Sequence, residues 1–146
     1  MKKFFLFLGI AVITGLHANA NGMANMKDKL CELGDKSACY QVGMMYVEGN
    51  EVRRNNKTAR PYFEIACSSN IAEACYQLGF IYEDGRAVHK DKVKAFNFYT
   101  KGCEYNSANA CHESARMHFN GKAVTKNVKK ALELYKKGCE LEKGES

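Results

Sequence analysis

Proline occurs once in the 146 residues, at Pro61, and no stretch has the alternation or the turn-bounded β-branched runs of a strand. Those two absences point to an all-α architecture. Long apolar runs are missing as well. The only apolar stretch, residues 4–15, falls short of the roughly 20 residues that span a bilayer, which excludes a stable membrane anchor. No cysteine follows it where a lipid could be attached. Charge of one sign is not in great excess: 22 Lys and Arg stand against 16 Asp and Glu, too mild a balance to argue for nucleic acid.

What the N-terminus does have is an address. Lys2 and Lys3 precede the apolar stretch, and Ala18-Asn19-Ala20 closes it with a small-x-small pattern. This reads as a secretory signal peptide over 1–20, cleaved after Ala20. The mature chain, 21–146, is then one secreted or periplasmic domain. Its charge is uneven. Residues 86–137 carry twelve Lys and Arg against four acids, and 21–85 carry seven against nine. The basic half favours acidic partners or simply forms solvated helix faces.

Seven cysteines fall at 31, 39, 67, 75, 103, 111 and 139, with gaps that alternate 8 and 28, so the period is 36. In a small exported chain this is a disulfide framework rather than a metal or redox site. Other residues keep the register: Tyr40 and Tyr76; Gln41 and Gln77; Gly43, Gly79 and Ala115; Tyr46 and Tyr82; Gly49, Gly85 and Gly121; Val52, Val88 and Val124; Ala59, Ala95 and Ala131. Such a period signals a solenoid of stacked supersecondary units.

Each unit reads as two helices. The first helices cover about 37–48, 73–84 and 109–120 and end on glycines suited to a left-handed C-cap. A polar linker follows, with a valine expected to pin it to the core. The second helices cover about 56–68, 92–104 and 128–140, with small and aromatic residues at i, i+4 and i+7, as in Ala95, Tyr99 and Gly102. Pro61 is expected early in its helix, where it costs least. A leading helix over 23–33 and units at about 37–72, 73–108 and 109–144 would stack into a continuous core.

The run Ala-Cys-Tyr-Gln-x-Gly-x-x-Tyr-x-x-Gly, then Val, then Lys-Ala-x-x-x-Tyr-x-x-Gly-Cys, resembles the Sel1-like repeat of the tetratricopeptide-like group. With the cysteine pairs and the leader, the chain is similar to the Helicobacter cysteine-rich protein family across nearly all of its mature length. That likeness implies an α/α superhelix with disulfides between consecutive repeats: Cys31–Cys39, Cys67–Cys75 and Cys103–Cys111. Each closes a loop of about nine residues, a contribution on the order of 2–3 kcal/mol in the chain-entropy model. Cys139 opens a fourth pair whose partner would lie at position 147, one past Ser146. The chain therefore reads as a truncated copy or a piece of a longer array, and Cys139 as a free thiol able to link two chains.

The family is often described as β-lactamases or penicillin-binding proteins, and some members as ligands of host cells. In tetratricopeptide-like repeats the first helices line a concave face that binds extended peptides. Transferred here, that face carries Tyr40, Gln41, Met44 and Val47, then Tyr76, Gln77, Phe80 and Glu83, then His112, Glu113, Arg116 and Phe119. The S-x-x-K, S-D-N and K-T-G elements of a serine β-lactamase do not occur. His89, His112 and His118 form no ligand pair at helical spacing, so no metal and no cofactor is expected, and His112 and His118 read as drift from repeated tyrosines. Two functions remain: a protein- or peptide-binding module, or a protein that binds or slowly hydrolyses a β-lactam- or peptidoglycan-like small molecule.

Unreduced peptide mapping of protein recovered from outside the cytoplasm should return 31–39, 67–75 and 103–111 pairs. Bonds that skip between units would refute the stacked-repeat reading along with the pairing.

Overall fold

Seven helices make up the described residues, with no strand among them: α1 (Ala20–Glu32), α2 (Lys36–Glu48), α3 (Asn56–Ser68), α4 (Ala72–Asp84), α5 (Lys92–Glu104), α6 (Ala108–Asn120) and α7 (Val128–Gly144). The computed structural model of the chain describes residues 20–144. Residues 1–19, all of the expected leader but Ala20, and residues 145–146 lie outside the described residues. None of the described helices is long and apolar enough to cross a membrane.

Local chemistry sets the helix ends. Asp35, Asn55, Asp91, Ser107 and Asn127 each accept a hydrogen bond from an amide of the first turn they precede. Ile71 stands in that place before α4 and makes no such bond; its side chain packs on the core instead. The first helices α2, α4 and α6 end at Gly49, Gly85 and Gly121, whose φ of 78°, 74° and 65° suits glycine. Each linker then turns back on its helix, so that the amides of Asn55, Asp91 and Asn127 donate to the carbonyls of Tyr46, Tyr82 and His118. Val88 and Val124 pack against the core from these linkers.

Consecutive helices pack pairwise from α1 to α7. In addition α4 packs directly on α6, a closeness that no pair of second helices shares. Disulfides Cys31–Cys39, Cys67–Cys75 and Cys103–Cys111 join the last turn of α1, α3 and α5 to the first turn of α2, α4 and α6. All six cysteines are buried, whereas Cys139 is free and exposed.

Inside a unit, one contact recurs. Phe63 and Tyr99 are fully buried, and each ring presses against the helix at a glycine, Gly43 or Gly79, where any Cβ would overlap it. In the third unit Ala115 occupies the glycine place, and the corresponding ring, Tyr135, is only half-buried. Pro61 departs from its expected place. It is the sixth residue of α3, not in the first turn, so the Lys57 carbonyl loses its helical donor. Pro61 and Lys57 are both exposed, which leaves that carbonyl to water.

Gly79→Ala should lower stability by about 1–3 kcal/mol, since the buried Tyr99 ring has nowhere to retreat. Denaturant unfolding checks it; an unchanged midpoint would show that the ring can move.

Candidate functional site

The twelve residues expected on the binding face lie on α2, α4 and α6 in equivalent positions, and all are at least partly exposed. Their bases are anchored. Tyr40 rests on Phe63, Tyr76 on Tyr99 and His112 on Tyr135, with ring centroids 6.0, 5.9 and 6.0 Å apart. Each unit thus offers one ring of its first helix, propped from below by a ring of its second. Burial pushes the Tyr40 and Tyr76 phenols above their usual range, and nearby carboxylates add to it: Glu73 and Glu48 for Tyr40, Glu113, Glu73 and Glu83 for Tyr76. Both hydroxyls stay neutral and able to donate.

Beside these rings the polar groups divide in two. Gln41 and Gln77 keep side-chain amides that make no hydrogen bond to the described residues. At the α1 end, Tyr40, Gln41 and Met44 line an open hollow of about 280 Å³, with Lys27 and Glu48 at its edge. Phe80, 40% exposed, carries the Arg86 guanidinium over its face at 5.3 Å, and Phe119 carries the Lys126 ammonium at 5.7 Å.

Arg116 is otherwise engaged. Its Nη2 donates to both carboxylate oxygens of Glu83, at 2.7 and 2.8 Å, and its Nε to Glu113 at 2.6 Å. Glu83 also accepts from the Tyr99 hydroxyl at 3.0 Å. Burial alone would raise the Glu83 carboxyl, but the Arg116 and Tyr99 hydrogen bonds with the Arg116 charge outweigh it and hold the group below its usual range. This cluster ties α4 to α6 and fixes the register of two units. It also revises the charge reading. Of the twelve basic residues in 86–137, only Arg116 lies on a first helix, and it is matched by two carboxylates.

One constellation of possible ligands is not at helical spacing. His112 on α6 meets Cys139 and Glu142 on α7, with potential ligand atoms all within 4.8 Å of one another. Imidazole, thiolate and carboxylate are donors that zinc accepts, and three of them are one short of a closed structural site. The grouping depends on α6 packing against α7, which no spacing along the chain reveals. The exposed Cys139 thiol is equally open to a disulfide with a second chain.

Against known families, the Sel1 repeat profile matches residues 36–71, 72–105 and 108–143. Among solved structures, a Sel1 repeat protein from Oxalobacter formigenes superposes with a TM-score of 0.73 at 25% identity, over 85% of this chain and 54% of that one. A protective antigen present in uropathogenic Escherichia coli strains, with an SLR fold, gives 0.76 at 26% identity, over 80% of this chain and 25% of that one. Cysteine rich protein B of Helicobacter pylori gives 0.68 at 29% identity, over 88% and 92%. The chain thus spans about half of the first protein and a quarter of the second. Curated protein sequences give no match.

Glu83→Gln should lower stability at neutral pH by about 1–3 kcal/mol, the usual worth of a hydrogen-bonded charged group. Because the folded-state value is depressed, that contribution is complete above the ordinary glutamate value of 4.5 and is lost as pH falls through the lower, folded one. The gap between wild type and variant, read by denaturant unfolding, should therefore shrink at pH below 4.5. A gap independent of pH would remove the ion pair from the account.

Proposed function

The chain belongs to the Sel1 repeat family, and from that membership we propose that it is an exported protein- or peptide-binding module whose ligand lies along α2, α4 and α6. One observation carries the reading most: two amides, Gln41 and Gln77, one repeat apart and without partners among the described residues, beside propped aromatic rings. An extended peptide offers the complementary N–H and C=O groups at regular intervals, while its side chains need apolar platforms such as Met44 and Phe80. Export accords with the disulfides and with the likeness to the Helicobacter pylori protein.

Peptides selected from a random library on the purified, oxidised protein provide the test. Phe80→Ala should cost about 2 kcal/mol of binding, roughly thirtyfold in affinity, with the melting temperature unchanged. Gln77→Ala should weaken the same peptides. A sharp fall in melting temperature with binding intact would make Phe80 a core residue and reject this face. Turnover of nitrocefin in the ordinary enzyme range of roughly 1–1000 per second would replace the binding reading with a hydrolytic one.

A further inference from the structure

The other side of the first helices holds a second recurring arrangement. In the first unit Tyr46 of α2 and Tyr62 of α3 stack at 6.0 Å beside the buried Val42. In the second, Tyr82 of α4 and Phe98 of α5 stack at 5.6 Å beside the buried Leu78. The three equivalent places in the third unit hold His118, Leu134 and Ser114, each smaller than its counterparts. The stack is not made. His118 turns its ring edge-on to Phe96 instead, at 5.2 Å. What remains between α5, α6 and α7 is a cavity of about 250 Å³, open to solvent.

Its lining combines two chemistries. Leu134 and the Cys103 end of a disulfide form an apolar wall. Opposite stand hydroxyls and charge. Thr100 and Ser114 meet at 3.4 Å, and the His118 Nδ1 is buried without a partner. Lys137 points its ammonium at the Cys103 carbonyl, 2.6 Å away, and no described carboxylate lies at ion-pair distance from it. Lys130 adds a second cation at the edge, partly offset by Glu133, and Glu104 is the one acid in the lining. A lone ammonium with spare donors, beside hydroxyls and an apolar wall, suits one negative charge on a compact apolar body. An apolar cavity of about 150 Å³ already accepts benzene, so this one has room for such a ring with a carboxylate attached.

We propose that the cavity formed by Thr100, Ser114, His118, Leu134 and Lys137 is a binding site for a small organic monocarboxylate, separate from the face along α2, α4 and α6. The carboxylate pairs with the Lys137 ammonium and accepts from the hydroxyls, and the body packs on Leu134 and the disulfide.

The test uses benzoate as the probe and benzyl alcohol as its uncharged counterpart, titrated into the full disulfide-bonded chain by ligand-observed NMR. Benzoate should saturate with a Kd on the order of 1 mM, and benzyl alcohol should bind at least about tenfold more weakly. Lys137→Met should remove that preference. Ser114→Leu with His118→Tyr and Leu134→Phe, which installs the residues of the second unit, should abolish binding with the melting temperature equal or higher. If that triple variant does not fold, the Lys137→Met comparison decides. The proposal is overturned if benzoate does not saturate, if both probes bind alike, if Lys137→Met leaves the preference intact, or if the folded triple variant binds benzoate as wild type does.

Discussion

The disulfide at each junction between units is the constraint on which the rest of the molecule depends. A pair of 13-residue helices cannot bury enough apolar surface to stand alone, so every unit relies on its neighbour for part of its core. The connection from α1 to α2, from α3 to α4 and from α5 to α6 is only three residues long, and a covalent bond crosses each. Closing three such short loops removes about 6–9 kcal/mol of freedom from the unfolded chain in the entropy model. That is comparable with the whole stability of a typical domain, about 5–15 kcal/mol.

With the junctions fixed, the packing inside each unit decides what the surfaces present. A ring of the second helix presses on a glycine of the first, as Phe63 does on Gly43 and Tyr99 on Gly79, which brings the helix axes close and props Tyr40 and Tyr76 outward. The third unit breaks the pattern on both sides of α6. Ala115 for glycine accompanies a half-buried Tyr135, and Ser114, His118 and Leu134 leave room where the other units stack rings. Positions 112, 113, 116 and 119 lie on one side of the helix, 114 and 118 on the other. Variation confined to one repeat can thus make a cavity behind the common face without disturbing it, because Arg116 and Glu83 hold α6 to α4 independently.

The helix pairs, their glycine ends and the spacing of the cysteines could be read from the sequence because each feature occurs three times at one period, and the family resemblance implied how the cysteines join. Repetition turns a weak local signal into a strong one. Single events were harder. Pro61 has no counterpart in the other units, so the repeat register says nothing of how a proline is accommodated six residues into α3. The partial exposure of Tyr40, Met44, Tyr76 and Phe80 follows from the stripe they share, but the engagement of Arg116 does not: its partner Glu83 is 33 residues away on another helix. His118 reads as drift from tyrosine when taken by itself. Only beside Ser114 and Leu134 does its smaller ring define a space.

The central claim, that covalent junctions hold an otherwise marginal stack in one rigid register, is tested most directly by thermal unfolding with and without reductant, followed by far-ultraviolet circular dichroism. The oxidised protein should melt in one cooperative transition. The fully reduced protein, deprived of about 6–9 kcal/mol, should have lost most of its helical signal at room temperature or melt without cooperativity far below it. A reduced protein that melts cooperatively at the same temperature would contradict the account and leave helix packing alone to hold the units together.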